Sequence, residues 1–459
     1  MGENVGDRRE TFMKTPNISI IMPLYNAGRY LRETLDSVKM QTFTDYELIC
    51  VNDHSDDDTQ EILDLYKNKD SRIKCFMNQE RRGAAYSRNM GMIRAVGDYI
   101  IFLDGDDIFD EIMLEMAYET IVSKDADMVY FDFMPFQSEK IPIKAKVSHD
   151  ERFKKAYCCN CFCLTDMKLC DFTYFNTAPW NKLYRTEFIR ENRIMFQDLP
   201  CCNDVYFVLM SFFLAKKMIV LDVDRVMAYY RKHDETTKIG NNENPMCLFY
   251  ALDQVRQELV ERDLFHLYYE YFYVESFWTL FSIYKTTKNI SQKKEFYTFI
   301  REEGIKKFRK NQEEYFSRIS PYMQSQWNQW MNYESENLWT ETNSPYLFKL
   351  YCFEKEIKEL LENLECNNRK TALWGVGECG TALKIFCDEN EIKIDVLLDI
   401  NDEKQGKVIG GTKVKSPQYG LEGVEIIIVT GKGIYDDVVN LTQKKRVLEI
   451  IDFRNTIGI

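Results

Sequence analysis

Apolar residues near the start of the chain fall into short unbroken runs, separated by stretches with helical spacing. Ile18–Met22 is such a run, halted by Pro23, and predicts a buried strand. From Gly28 to Gln41 the positions Tyr30, Leu31, Leu35 and Val38 recur at helical spacing, which predicts an amphipathic helix. The alternation continues with a strand at Glu47–Val51 and a helix capped within Asp56–Thr59 that runs to Lys67. A short strand at Ile73–Phe76, a helix over Ala84–Ala95 and the strongly apolar run Tyr99–Leu103 follow. Strands alternating with helices predict a parallel sheet covered on both faces, whose ligands bind beyond the carboxyl ends of the strands. Asn52-Asp53 and Asp104-Gly105-Asp106-Asp107 stand at two such ends.

A further strand is expected at Met128–Phe133, and the pattern is then mixed to about 240, with a helix near Asn203–Ala215. The stretch Val205–Val223 is interrupted by Lys216, Lys217 and Asp222. It reads as a buried helix followed by a strand, not as a membrane span, which needs ~18 apolar residues without charges. Residues 245–368 are rich in Tyr, Phe, Glu and Lys, nearly free of Gly and helical in period, with Pro321 and Pro345 as breaks. Residues 369–459 return to alternating strand and helix. Residues 1–16 read as a loose tail.

Composition narrows the function. Of 459 residues, 45% are hydrophobic and 29% charged, the balance of a globular protein. Acidic residues number 73 against 60 basic, a net charge of −13, which argues against a general nucleic-acid binder. The first residues contain no apolar core of a secretory signal, so the expectation is a cytoplasmic protein with reduced thiols. Half of the 14 Cys crowd between Cys158 and Cys202. Cys158 and Cys161 have zinc-knuckle spacing but no second such pair, which favours ordinary buried thiols.

Asp104-Gly105-Asp106 is the central chemical feature. Two carboxylates one residue apart, on a turn leaving the sheet, suit one hard cation, Mn²⁺ or Mg²⁺, which binds few carboxylate oxygens and completes its shell with phosphate and water. Alone, such a triplet is more often a solvated turn. Here Asp53 ends a strand of the same expected sheet and Pro23-Leu24-Tyr25-Asn26 ends the first. Three strand ends thus supply an aromatic face, a carboxylate acceptor and a metal-binding turn, a set that suits a nucleoside diphosphate.

The segments Ser19–Asn26, Asn52–Ser55, Gly83–Gly91 and Phe102–Asp107 resemble, in order and spacing, those of family 2 glycosyltransferases of the GT-A fold. Weaker similarity continues through Trp180–Tyr184 and Asn203-Asp204 to Tyr229-Tyr230-Arg231. The resemblance implies an α/β domain with a nucleotide-sugar half at 17–133 and an acceptor half at 134–244, to which the pattern adds a helical connector at 245–368 and a small Rossmann-like α/β domain at 369–459. It implies an inverting, metal-dependent transfer of sugar from a nucleotide-sugar to an acceptor hydroxyl, often on a bacterial surface glycan. Pro23, Tyr25 and Asn26 then line the nucleotide pocket, with Tyr25 flanking the base. Asp53 accepts the imide N–H of a uracil-type base, and Arg88 lies near the nucleotide. Asp104 serves the ribose or metal, and Asp106 ligates the metal directly. Asp204 is the base that activates the acceptor, although Asn203 replaces the Glu usual before it. His233 falls where some relatives place a metal or diphosphate contact. Trp180 and Lys182 are candidates for the acceptor side, with a core role for Trp180 the alternative.

The C-terminal segment supplies a rival. Gly375-x-Gly377-x-x-Gly380 follows a strand and opens a helix, and the next strand, Val396–Leu398, ends at Asp399. That is the dinucleotide fingerprint, with glycines for a tight turn and an acid about 20 positions on. The segment is also similar to Rossmann-like modules of polysaccharide-biosynthesis proteins, some of which bind nucleotide-sugars. A nucleotide-dependent oxidoreductase or epimerase centred there, and a non-catalytic assembly protein, are the alternative functions. The transferase reading implies a UDP-sugar donor, a glycan or lipid-linked glycan acceptor and no nucleic acid. It is compatible with attachment at the inner membrane face and with self-association through residues 369–459.

Overall fold

The computed structural model describes residues 15–137, 153–232, 244–332 and 347–454, apart from gaps at 173, 348–349, 352, 432–433, 443–446 and 448. The chain divides into two compact units, Met1–Met167 with Phe175–Ser317, and Lys168–Tyr174 with Arg318–Ile459. The division runs through the helical stretch.

Among the described residues the first unit is built on ten strands: β1 (Ile18–Leu24), β2 (Tyr46–Asn52), β3 (Ile73–Met77), β4 (Tyr99–Phe102), β5 (Ile108–Phe109), β6 (Met128–Tyr130), β7 (Phe133–Phe136), β8 (Lys182–Arg185), β9 (Met218–Val220) and β10 (Ala228–Arg231). Seven form one sheet in the order β3-β2-β1-β4-β8-β6-β9. β1, β2, β3 and β4 are parallel, and β8 runs antiparallel between β4 and β6. Helices α1 (Gly28–Lys39), α2 (Thr59–Lys67) and α3 (Ala84–Arg94) make the crossovers. Every residue of β2 is buried, as expected of a parallel strand covered on both faces. Leu31, Leu35 and Val38 of α1 pack with Ile18, Ile20 and Leu48 in one core, which accounts for the helical spacing in the sequence.

The apolar run at 128–133 is not one strand. It divides into β6 in the large sheet and β7 in a second, three-stranded sheet of order β5-β10-β7. Phe131, at the break, donates its N–H to Asn181 O (3.1 Å) and is fully buried, so the apolar run continues while the backbone changes sheets. The apolar segment from Val205 forms a helix, Val205–Leu214, and then β9. Among the described residues no helix is long and apolar enough to cross a membrane.

Helices Met246–Glu261, Phe265–Thr286 and Ile290–Phe299 belong to the first unit. In the second, Pro321 starts the helix Pro321–Asn332 instead of ending one, since a first-turn proline loses no helical hydrogen bond. Pro345 lies outside the described residues. The second unit also holds a six-stranded sheet of β11 (Thr371–Trp374), β12 (Val396–Leu398), β13 (Val408–Ile409), β14 (Thr412–Lys415), β15 (Ile426–Val429) and β16 (Glu449–Asp452). Its order is β13-β14-β12-β11-β15-β16, parallel except for the β13–β14 pair.

Candidate active site

In the order β3-β2-β1-β4 the direction of winding reverses between β1 and β4. Parallel sheets open a crevice at such a reversal, outside the carboxyl ends of the strands. Tyr25 and Asn26 leave β1 there, and Asp104–Asp107 leave β4. The strands are in step, since Asp53 donates its N–H to Leu24 O (2.7 Å) and Leu103 donates to Ile21 O (3.0 Å).

Pro23 lies within β1 and Tyr25 just beyond it, 38% exposed, with the Arg81 guanidinium 4.1 Å from its ring centre. Asn26 takes a positive φ of 48°, a conformation Asn tolerates better than most residues. Its N–H donates to Ser55 Oγ (3.0 Å), and its Oδ1 accepts from the Asp56 N–H (2.9 Å). The loops after β1 and β2 are thereby joined. Asp53 is buried at 2% exposure. Its carboxylate accepts from Asn78 Nδ2 (2.7 Å) and from the N–H groups of Arg82 (2.8 Å) and Gly83 (2.7 Å). A carboxylate has about four acceptor positions, so the 78–83 loop, with Arg81 upon it, is fixed by Asp53 and one position is left.

The β4 turn is held from two sides. Arg231 donates its N–H to Asp107 Oδ1 (2.9 Å) and its Nε to Asp106 O (2.9 Å). Thr34 Oγ1 of α1 donates to Asp107 O (2.8 Å). Asp107 is buried with Oδ2 unpartnered, and burial together with the Asp106 and Asp104 charges pushes its carboxyl well above the usual range. On the other side, Arg88 of α3 donates Nη2 to Asp104 Oδ1 (2.8 Å) and Nη1 to Asn203 Oδ1 (3.3 Å). Arg88 is 6% exposed and packs over the Phe196 ring. One guanidinium therefore ties the β4 turn to Asn203, which is 115 positions from Arg88 in sequence.

Asp204 begins the helix Val205–Leu214, yet its side chain makes no capping hydrogen bond. Enclosure raises its pKa, the positive charge of Arg88 and, more weakly, Lys182 opposes that rise, and Asp104 adds to it. A carboxylate that is half-buried, close to cations and not spent on the helix end is suited to taking a proton.

Two acceptor-side expectations are overturned. Trp180 is 6% exposed and stacks on Tyr230 at 5.5 Å with 5° between the planes, within the main core, so no face remains for a sugar. Lys182 is fully buried, and its Nζ donates to Asn176 O and Oδ1, Ala178 O and Asn181 Oδ1 (2.6–3.1 Å). It fastens the 176–181 loop from beneath instead of meeting a ligand. Desolvation drives its pKa well down, with Asp204 opposing. His233 lies outside the described residues. The sequence reading missed Arg81, which carries no motif; it placed Asp107 and Arg231 in matching segments but missed their pairing, which depends on the second sheet.

The glycine loop after β11 is wired differently. Gly375 has φ +102°, and a Cβ on Gly380 would lie 2.1 Å from Gly375 O, so both positions require glycine. Gly377 precedes the helix Glu378–Glu389. Asp399, expected to meet a ribose, is 5% exposed and accepts from the Val376 N–H (2.9 Å), the Asn401 N–H (2.9 Å) and Lys404 Nζ (3.4 Å). Its carboxylate folds back on the loop it was expected to serve. Near Cys158 and Cys161, no group of three or more metal-ligating side chains gathers among the described residues.

Comparison with known proteins bears on the first unit. Residues 19–193 match the family Glycosyl transferase family 2. Glycosyltransferase GlyG of Streptococcus pneumoniae serotype 4 is 40% identical over 112 residues, covering 24% of this chain and 37% of that protein. The uncharacterized glycosyltransferase EpsJ of Bacillus subtilis is 32% identical over 218 residues, covering 45% and 59%. The chain thus spans less than two thirds of the length of these relatives. Among solved structures, S. aureus TarS 1–349 in complex with UDP superposes with a TM-score of 0.51 at 18% identity, over 69% of this chain and 89% of that one. That likeness is one of fold. Residues 19–193 thus match glycosyl transferase family 2, within an α/β unit whose fold is GT-A-like.

Proposed function

We propose that the protein transfers a sugar from a UDP-sugar to a hydroxyl of a glycan acceptor, with inversion and with help from a divalent cation. The observation that carries this reading is the Arg88 bridge. It draws the carboxylate turn of β4 and the start of the Asp204 helix to one crevice at the winding reversal. Tyr25 offers an exposed face there, stiffened by Arg81, against which a nucleobase stacks. The last acceptor position on Asp53 suits the imide N–H of uracil. The UDP bound by TarS, which shares the fold, agrees with that choice.

The donor set fits a hard cation. Asp104, Asp106 and Asp107 crowd the turn, and the first two raise the pKa of the third. Asp104 and Asp106 are the carboxylates that would hold the ion. No third side chain joins them among the described residues, so the ion they would hold would need diphosphate and water oxygens as well, which Mg²⁺ and Mn²⁺ accept. When bound, the ion offsets charge on the departing diphosphate. Arg88 keeps Asp104 oriented. Asp204 removes the proton of the acceptor hydroxyl as that oxygen attacks the anomeric carbon from the face opposite the diphosphate. The inward wiring of Asp399 speaks against redox chemistry at the C-terminal loop. The test is release of UDP or GDP from a panel of nucleotide-sugars, with Mn²⁺ and with chelator. Equal turnover of GDP-sugars, or indifference to chelator, overturns the donor and metal assignments.

A further inference from the structure

Immediately before Asn203 and Asp204 stand two cysteines, and a third thiol meets them from another helix. The Cys201 S–H donates to Asn244 O at 3.3 Å. Cys201 and Cys247 meet at that one carbonyl, since Asn244 O also accepts the Cys247 N–H (3.2 Å). Cys247 lies in the first turn of the helix Met246–Glu261 and is 1% exposed, whereas Cys201 is partly exposed. All three are reduced in this structure.

We propose that Cys201 and Cys247 form a redox-modification site, at which a peroxide converts the pair to a disulfide and thereby displaces Asn203 and Asp204. In the first step the Cys201 thiolate attacks one oxygen of the peroxide. The O–O bond breaks, Cys201 becomes a sulfenic acid and water leaves after protonation. In the second, the Cys247 sulfur attacks Cys201 Sγ, forming the S–S bond and releasing the hydroxyl as a second water. The two thiols lose two electrons, and the peroxide gains them.

The surroundings divide the roles. The contact with Cys202 lowers the Cys201 pKa to about 7, whereas burial raises that of Cys247 to about 11. A thiol that is acidic, reachable and beside a second thiol is the one that oxidises first. Cys202 is closer in sequence but poorly placed to resolve the sulfenic acid. Adjacent Cα atoms lie ~3.8 Å apart, below the ~4.4–6.8 Å that disulfides span. Cys202 instead holds a left-handed φ of 53° and gives its carbonyl to the Val205 N–H (3.4 Å). Residues 202–205 are thus a tight turn that links Cys201 to Asp204. Drawing the sulfurs to ~2.05 Å pulls on that turn and on the Arg88–Asn203 hydrogen bond.

This consequence rests on the transferase reading, but the modification does not, and one experiment separates them. The full-length protein is treated with hydrogen peroxide, alkylated without reduction, digested and mapped by mass spectrometry, with hydrogen exchange followed over 199–208. The expected result is a Cys201–Cys247 cross-linked peptide, reversed by dithiothreitol, with faster exchange in that segment. In Cys247→Ser the cross-link disappears and dimedone traps a sulfenic acid on Cys201. Should Cys201 remain alkylatable at peroxide levels that oxidise the exposed Cys159, or pair with another cysteine, the site is wrong. A disulfide that leaves exchange over 199–208 unchanged overturns the coupling to Asp204. Where UDP-sugar turnover is detected, it falls at least fivefold on oxidation in wild type and not in Cys247→Ser. Absence of turnover in the reduced protein counts against the transferase reading alone.

Discussion

Two places in this chain bring glycine and acid together at the ends of parallel strands, and their carboxylates are used in opposite ways. After β4, Asp104 is 30% exposed at its side chain and turns to an arginine that reaches on to Asn203. After β12, Asp399 is 7% exposed at its side chain and is consumed by its own neighbours, Val376, Asn401 and Lys404. Both segments match sequence patterns for nucleotide sites. Only the first leaves polar groups from several elements facing common ground. A motif states which backbone turn is formed, whereas the destination of each side chain decides whether a ligand has anything to meet.

Asp204 gives the strongest way to break this contrast. Asp204→Asn lowers kcat by ~10²-fold or more with UDP affinity unchanged, if the half-buried carboxylate takes the acceptor proton. A helix cap would instead cost about 1 kcal/mol of stability with most activity kept. The absence of a capping bond predicts no such loss. The pKa shift gives a sign for stability. A carboxyl whose folded pKa is raised favours the folded state when protonated at low pH, and that advantage is lost as pH rises through the folded pKa. Asp204→Asn therefore holds or gains stability at neutral pH, measured by denaturant titration, while losing turnover.

Arg88 comes next. Arg88→Met removes the bridge and lowers kcat/KM by roughly 10- to 100-fold, a loss of about 1.4–2.7 kcal/mol in transition-state stabilisation. The pH profile isolates its effect on the base. In wild type, activity is lost as pH falls through the Asp204 pKa, which is raised from its ordinary value. Because Arg88 opposes that rise, its removal moves the acid limb to still higher pH. An acid limb that stays in place in Arg88→Met would falsify the coupling.

Tyr25 is expected to act on binding alone. Base–aromatic stacking contributes ~1–3 kcal/mol, so Tyr25→Ala weakens UDP by about fivefold or more in calorimetry and leaves kcat near normal. Arg81→Ala should give a smaller loss in the same direction, since an exposed cation–π contact is worth ~0.5–1 kcal/mol. A drop in kcat with unchanged affinity places Tyr25 elsewhere in the reaction.

Much of the first unit was legible because its signals are local. The helical spacing of Leu31, Leu35 and Val38, and the unbroken apolar β2, follow from burying one face of a helix and both faces of a strand. The positions of Asp53, Asp104 and Asp106 at strand ends were legible for the same reason. What failed depends on distant partners. No periodicity marks Trp180 as facing Tyr230, or Lys182 as caged by the loop that precedes it. The strand expected at 128–133 divides between sheets because β10 arrives from 95 residues away to pair with β7. Asp399 met every positional requirement of the fingerprint, and only the direction of its carboxylate differs.

That direction sets the last and smallest expected effect on chemistry. If Asp399 is a clasp for the glycine loop, Asp399→Ala leaves the buried Val376 N–H without its acceptor and strips Lys404 of its counter-charge. A buried donor left unsatisfied costs ~1–3 kcal/mol, so the thermal transition of the second unit falls by several degrees while UDP-sugar turnover is unchanged. A ligand that binds the native state raises that transition in proportion to its occupancy, so the same melt run with NAD or UDP-sugar reports directly on the loop. No ligand-dependent rise is expected in wild type or variant. A rise in wild type with NAD that vanishes in Asp399→Ala, at unchanged stability without ligand, would mean that the carboxylate swings outward to a ribose. The contrast between the two loops would then be one of conformation, not of wiring.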